Sequence, residues 1–182
     1  MHTRAPDDAR PVLTMAQDEG CFGRISTPKR CWAPPGVRPQ APRQVVREYV
    51  YAYTAVAPEQ GAMTSLILPY AKTAMMQRFL DHVAKTFADR FIVMQVDRAG
   101  WHTATALRIP ENLRLIPQPP YSPELNPVEH IWEEVREKWF HNRVFPALSK
   151  VVDTLAEGLR HLAMHPAQVR SMTNFPHFRL LC

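Results

Sequence analysis

The sequence predicts an α/β fold in which a central mixed sheet of about five strands is flanked by helices. Two observations predict it: a strand-dense first half, and a later change to the spacing of amphipathic helices. The chain has 182 residues, of which 46% are hydrophobic and 21% charged, enough for one domain with its own core. We expect a flexible segment over 1–11, the domain over 12–165 and a loose tail over 166–182.

The first half is predicted to form an antiparallel meander. The apolar run from Val12 to Gln17 predicts a first strand that ends at Asp18-Glu19-Gly20. Five prolines between Thr27 and Arg43 exclude a helix interior and favour a short hairpin followed by a loop. The Val- and Tyr-rich stretch from Val45 to Val56, and then Met63 to Leu68, predict the second and third strands.

The second half is predicted to alternate helices with strands. Apolar residues from Thr73 to Phe87 recur at helical spacing, and the nearly continuous apolar run Phe91 to Val96 predicts a strand buried on both faces. The remaining predicted elements are a short helical piece near 103–107, a brief strand at Leu113 to Ile116, and helices at about Pro127 to Phe140 and Leu148 to His161. A meander followed by this alternation is the element order of an RNase H-like fold.

Charge and cysteine content narrow the class of function. Three cysteines without CxxC spacing predict free thiols in a reducing cytoplasm and exclude a zinc ribbon. The net charge is +5, and between Gly20 and Arg47 there are six cations and no Asp or Glu. This distribution favours contact with a phosphate backbone, and a solvated basic loop is the alternative. The cations are Arg24, Lys29, Arg30, Arg38, Arg43 and Arg47.

Two acids follow predicted strands. Asp97 comes directly after the buried strand, and the carboxyl ends of such strands are where functional groups gather. It is a candidate cation ligand or, equally, the start of a turn. Asp18 follows the first strand and would neighbour Asp97 if the two strands were adjacent; the pair would then need a bridging cation. Glu19 is a rival for the role of Asp18.

A third acid lies at a predicted helix start. Asn126 suits an N-cap and Pro127 the first helical position, which puts Glu129 where a capping-box glutamate stands. Glu129 also falls on the flank of the apolar stripe that contains Trp132, where a side chain can lean over a sheet edge. Its position therefore permits either a helix cap or a metal ligand.

Three carboxylates without a Cys or His cluster favour Mg²⁺ or Mn²⁺ over zinc. Such a site suits two-metal phosphoryl transfer, which needs no nucleophilic side chain. The GxSxG, GxxxxGK[ST] and GxGxxG motifs are absent from the chain. Their absence removes the common hydrolase, nucleotide-phosphatase and dinucleotide-binding interpretations.

Three sequence blocks resemble those of mariner-like DDE transposases from bacterial insertion sequences. QVDRAGWH at 95–102 resembles their second catalytic block, and PPYSPELNPVEHIW at 119–132 resembles the third. Their first block is similar to the segment QDEGCFGRISTPKRCWAPPG at 17–36. The similarity extends from about Val12 to about Leu162, and the Ser-Pro-Glu-Leu-Asn-Pro-x-Glu run is highly specific.

The resemblance implies an RNase H-like fold and a catalytic triad of Asp18, Asp97 and Glu129 that holds two Mg²⁺ ions, with Mn²⁺ as a substitute. It implies cleavage of transposon ends to free 3′-hydroxyls, which are then transferred into target DNA. It favours Asp18 over Glu19, and a metal ligand over a cap for Glu129. His102 matches a position that contacts the scissile phosphate or steers a metal ligand, although a turn-capping histidine is equally compatible.

The chain departs from the family in two respects. Arg98 stands where such proteins usually carry Asn, and this cation would contact phosphate or weaken metal binding. The family usually carries N-terminal helix-turn-helix modules, whereas the first catalytic block begins here within the first twenty residues. The chain is then either one half of a split or frameshifted transposase, with a separate helix-turn-helix half, or a truncated remnant. We expect it to act as a homo-oligomer on DNA. A catalytically silent regulatory fragment and an RNase H-like nuclease are the alternatives.

Overall fold

The computed structural model describes residues 4–5, 7–26, 28–97, 99–100, 106–119, 122 and 125–175. The strands are β1 (Val12–Ile25), β2 (Val45–Ala57), β3 (Ala62–Leu68), β4 (Phe91–Val96) and β5 (Leu113–Pro117). The helices are α1 (Thr73–Thr86), α2 (Val128–Val135), α3 (Leu148–Ala163) and α4 (Pro166–Thr173), and a π-helical turn (Arg136–Phe140) continues α2. The meander, the later strands and three of the helices lie where the sequence predicts them.

The five strands form one mixed sheet in the order β3-β2-β1-β4-β5. β2 pairs antiparallel with both β1 and β3, whereas β4 lies parallel to β1 and β5. Parallel neighbours require a crossover connection, and α1 supplies the one that leads into β4. This architecture is the mixed five-stranded α/β sheet that the sequence predicts.

Each face of the sheet is covered by different helices. One core cluster lies between the sheet and α1 and contains Met15 and Phe79. The other lies between the sheet and α2, α3 and α4, and it contains Ala16, Phe22 and Trp132. Adjacent strand residues point to opposite faces, so consecutive positions of β1 enter different cores. This alternation decides which acid of β1 meets which helix.

β1 is longer than predicted, and the prediction that it ends at Gln17 is wrong. Its antiparallel pairing with β2 continues to Ile25, whereas its parallel pairing with β4 ends at Ala16. The polar pair Asp18-Glu19 resembles a strand end in the sequence, yet both residues lie in register with β2, opposite Thr54 and Tyr53. Asp18 therefore lies inside a strand, just beyond the point where one of the two neighbouring strands has stopped.

The Pro-rich stretch also differs from the prediction. From Pro28 to Gln44 the described chain forms no strand, so the predicted hairpin is wrong there. Proline lacks the backbone N–H that a strand ladder needs. The helical piece predicted near 103–107 lies almost wholly outside the described residues.

Two further features concern the cysteines and the length of the helices. Cys21 and Cys31 are free thiols, as predicted, and Cys182 lies outside the described residues. Within the described ranges, every helix is too short or too polar to cross a membrane.

The predicted loose tail is wrong for its first eight residues, because Pro166–Thr173 forms α4. α4 begins at Pro166, and proline is favoured at the first helical position, where no N–H is needed. Val169 and Thr173, four residues apart, are both buried. α4 packs against α2, α3 and β3. It is therefore part of the domain core.

Gly61 is the point where α4 meets the β2–β3 turn. Its φ is +69°, and a Cβ there would lie 1.9 Å from the Pro166 carbonyl oxygen. We expect Gly61→Ala to destabilise the domain by more than about 2 kcal/mol, since left-handed strain and overpacking add. Gly36 has a φ of +84° with open space around it, so Gly36→Ala is expected to cost about 1 kcal/mol or less. Urea unfolding of both variants tests this, and equal losses would contradict the proposed contact.

Candidate active site

Strand order places two of the predicted acids at the same end of neighbouring strands. The last parallel pair between β1 and β4 is Ala16 with Gln95, and β4 ends at Val96. Asp18 follows Ala16 by two residues, as Asp97 follows Gln95. The sequence prediction depended on these two strands being neighbours, and that adjacency is confirmed.

Alternation along β1 separates Asp18 from Glu19. Asp18 shares the face of Ala16, and its Oδ2 accepts a hydrogen bond of 3.0 Å from Nε1 of Trp132 in α2. Glu19 lies opposite Tyr53 in the register, and its charge contributes to raising the pKa of that buried phenol to about 12. Of the two acids, Asp18 is therefore the one directed at α2.

A glycine lets Trp132 approach the strand so closely. A Cβ on Gly20 would lie 2.8 Å from Cδ2 of Trp132 and 2.8 Å from Cε2 of Phe22. Trp132 is 1% exposed, so its indole N–H has to find a partner inside the protein, and Asp18 is that partner. The sequence predicts Trp132 as a core residue, which is confirmed, but does not identify this polar contact.

Asn126 fixes the start of α2 beside β1. Its Oδ1 accepts a hydrogen bond from the Val128 N–H at 3.1 Å, and its Nδ2 donates to the Gln17 carbonyl at 3.4 Å. The cap predicted for Asn126 is therefore present. Glu129 follows in the first turn of α2, and its charge is close enough to raise the pKa of Asp18.

Asp18 has a strongly perturbed titration. Its pKa is raised from 3.8 to about 7, mainly by burial and to a smaller extent by the neighbouring carboxylates of Glu129 and Glu19. The Trp132 hydrogen bond and the Glu19 backbone act in the opposite direction. A half-buried carboxylate near two others is costly when ionised, and a bound cation would relieve that cost.

Asp97 forms the turn that the sequence analysis weighed for it. Its Oδ1 accepts a hydrogen bond of 2.8 Å from the Ala99 N–H. A carboxylate offers about four lone-pair sites, so this bond is compatible with a role as a cation ligand. Both interpretations of Asp97 therefore stand together.

The three predicted acids have the chemistry, although not the observed arrangement, of a site for a divalent metal ion. No three His, Cys, Asp or Glu side chains within the described ranges are arranged to hold one. The donor set nevertheless has the right chemistry: the three acids offer only oxygen, Asp18 and Glu129 are electrostatically coupled, and Asp97 follows the adjacent strand. All-oxygen donor sets select hard cations such as Mg²⁺.

The residues predicted to contact DNA have different surroundings. Arg24 donates to the carbonyls of Phe145 and Pro146 and pairs with Glu48 at 2.7 Å, so it ties β1 to the loop before α3. The backbone N–H of Lys29 donates to Asn142 Oδ1 at 2.9 Å. Three of the arginines are exposed and lie outside helices and strands: Arg30, Arg38 and Arg43. Arg98 and His102 lie outside the described residues.

Comparison with known proteins gives two matches in sequence. A family model of DDE superfamily endonucleases matches residues 14–152. An uncharacterized protein of Sinorhizobium fredii (strain NBRC 101917 / NGR234), y4pE/y4sA, is 35% identical over 125 residues, which cover 68% of this chain and 93% of that protein.

Solved structures of Mos1 transposase share the fold. The paired-end complex with the left transposon end has a TM-score of 0.56 at 16% identity, covering 90% of this chain and 56% of that chain. The Mos1 mariner paired-end complex with Mn has a TM-score of 0.57 at 15% identity, covering 90% and 56%. The complex with Mg also has a TM-score of 0.57, at 17% identity, and covers 88% and 56%. The chain thus matches just over half of the Mos1 chain.

The likeness in structure confirms the predicted RNase H-like fold. The family match extends over most of the chain and includes Asp18, Asp97 and Glu129. On this evidence the chain belongs to the DDE superfamily endonucleases.

Proposed function

We propose that this chain is the catalytic domain of a DNA transposase that cuts transposon ends and joins them to target DNA. The observation that carries the proposal is the half-buried carboxylate of Asp18. It is electrostatically coupled to Glu129 and lies on the strand beside the one that Asp97 follows. An enzyme that holds metal ions needs such acids together, whereas a purely structural domain would avoid the repulsion.

Asp18, Asp97 and Glu129 are the proposed ligands of two Mg²⁺ ions, for which Mn²⁺ would substitute. When bound, the pair of ions would activate the attacking oxygen and stabilise the leaving oxygen at phosphorus. Trp132 orients Asp18 through its N–H, and Asn126 fixes the start of the helix that carries Glu129. The Mos1 paired-end complexes with Mn and with Mg support the choice of metal.

The proposed reaction has two steps, hydrolysis at the transposon end and strand transfer into the target. Water attacks a phosphodiester at the transposon end; a bond from its oxygen to phosphorus forms, the bond to the 3′-oxygen breaks, and that oxygen leaves as a 3′-hydroxyl. This hydroxyl then attacks a phosphodiester of the target, forms a new bond to phosphorus and releases a target 3′-hydroxyl. One phosphodiester is made for each one broken, so strand transfer needs no added energy source.

DNA is the proposed substrate and partner. The Mos1 structures are described as paired-end complexes, one of them with the left transposon end, which supports DNA binding by a related fold. We further propose that the chain acts in the cytoplasm as a homo-oligomer on DNA, with a helix-turn-helix half that reads the ends. The exposed side chains of Arg30, Arg38 and Arg43 would contact phosphates.

The proposal is tested by nicking and strand transfer on supercoiled plasmid with Mg²⁺, Mn²⁺ or EDTA. We expect the wild-type chain to cut with either metal and not with EDTA, and Asp97→Ala to lose the cutting. Agarose gels resolve the nicked, linear and joined products.

Three outcomes would oppose the proposal. Cutting that persists in Asp97→Ala would remove Asp97 from the site. Absence of cutting with every metal would favour a DNA-binding regulatory fragment, and cutting of RNA–DNA hybrids in preference to plasmid would favour a nuclease.

A further inference from the structure

A basic cavity lies beyond the acids, between the second half of β1 and the π-helical turn. Its volume is about 230 Å³. Phe22 and Phe140 supply aromatic walls, with ring centroids 5.1 Å apart. Four cations line it: Arg24, Lys29, Arg136 and Arg143. None of the proposed metal ligands lines this cavity.

Two of these cations already have carboxylate partners. Arg24 pairs with Glu48 at 2.7 Å and Lys29 with Glu137 at 3.4 Å. In the described part of the chain, Arg136 and Arg143 pair with no carboxylate. The cavity therefore carries an excess of positive charge at these two arginines.

Aromatic rings hold both arginines in position. The Arg136 guanidinium lies over the Phe22 ring, 5.2 Å from its centroid. The Arg143 guanidinium lies over Phe145 at 5.6 Å, and its Nη1 donates to the Trp139 carbonyl at 2.9 Å. A stacked guanidinium keeps N–H donors in its plane for an incoming anion, and its planar fork suits the two oxygens of a phosphate.

The geometry relates this cavity to the acids. Phe22 follows Asp18 by four residues on the same face of β1, which is roughly 13 Å along a strand. Arg136 follows Trp132 by four residues, about one helical turn. A DNA strand also winds around its axis, so successive phosphates lie farther apart than the axial rise of roughly 3.4 Å per nucleotide, and the cavity lies within a few nucleotides of the acids. A π-helical turn at this place agrees with the frequent occurrence of such turns at functional sites.

We propose that the cavity binds a backbone phosphate of the DNA strand being cut, within a few nucleotides of the scissile phosphate, through Arg136 and Arg143. This inference rests on the proposed function. It adds two residues outside the basic segment at 24–47, and it makes the π-helical turn a phosphate clamp beside the active site.

The test is binding of a 40-base-pair duplex in EDTA, by fluorescence anisotropy over a series of salt concentrations. We expect Arg136→Gln/Arg143→Gln to weaken binding about 10-fold and to reduce the slope of log K against log salt by about 1. The control is Arg78→Gln/Lys85→Gln, which removes the same charge from exposed positions on α1, across the sheet. It is expected to change affinity less than 2-fold. Arg136→Lys should give an intermediate loss, because it keeps charge and loses the fork.

Equal losses in both double variants would overturn the cavity as a site and leave only general electrostatic attraction. An unchanged affinity in Arg136→Gln/Arg143→Gln with a native thermal midpoint would overturn it as well. The assay contains no metal and requires no cutting, so failure of catalysis and failure of the cavity are read separately. On a duplex that the wild type nicks, neutral methylphosphonates at each position should weaken wild-type binding at a position within a few nucleotides of the nick and leave the double variant unaffected there.

Discussion

Asp18→Asn is expected to reduce metal-dependent cutting by about 10³-fold or more, whereas Glu19→Gln is expected to retain activity within several-fold. A lost metal ligand removes several kcal/mol of charge stabilisation at the transition state, and about 4 kcal/mol corresponds to that factor. The two acids are adjacent in sequence and lie on opposite faces of β1, since Asp18 accepts the Trp132 N–H and Glu19 lies opposite Tyr53. Initial rates of plasmid nicking in Mg²⁺ measure the difference.

Glu19→Gln is the matched control, because it also replaces a carboxylate of β1 by an amide at the neighbouring position. Both variants should keep a cooperative thermal transition. A Glu19→Gln variant as inactive as Asp18→Asn would mean that the strand, and not the ligand, was damaged. An active Asp18→Asn variant would remove Asp18 from the catalytic site.

The second large effect concerns stability in EDTA as a function of pH. The pKa of Asp18 is raised by burial to about 7 in the folded chain, from an ordinary value of 3.8. Because this pKa is higher in the folded chain than in the unfolded chain, the Asp18 carboxyl stabilises the folded state fully below about pH 4. That contribution to the free energy of unfolding is lost as the pH rises to about 7. The loss amounts to about 4 kcal/mol at most, or roughly 10 °C in thermal midpoint for a domain of this size.

The measurement is the thermal midpoint of wild type and Asp18→Asn from pH 4 to pH 8. We expect the wild-type midpoint to fall relative to that of the variant across this range, because an amide at position 18 carries no charge to bury. Mg²⁺ at pH 7.5 should raise the wild-type midpoint and leave the variant unchanged. Parallel pH curves for the two proteins would show that Asp18 is not the group whose ionisation is disfavoured.

Much of the fold is determined by local sequence. The helical spacing of α1 and the apolar run of β4 identify both elements, because each buries a face that its own periodicity defines. Asn126 likewise identifies the start of α2, since its short side chain caps an amide two residues away. Interactions within a few residues are sufficient for such features.

Elements whose limits depend on distant partners were not predictable in this way. β1 continues past Asp18 because β2 pairs with it, and α4 forms because Val169 is buried in the core shared with α2 and α3. β2 and α2 lie far along the chain from the elements they pack against, whereas α3 directly precedes α4. The polar residues of β1 suggested an end where the paired strand continues.

The same division holds for the candidate site. The sequence by itself determined which acids were candidates and the RNase H-like order of elements, since residue type and spacing express both. Only the tertiary structure decided that Asp18 is directed at α2, that the Trp132 N–H meets it, and that Arg136 joins Arg143 at one cavity. These contacts join residues that are far apart in the chain. They depend on the strand register of β1, on the absence of a Cβ at Gly20 and on the helical turn that separates Trp132 from Arg136.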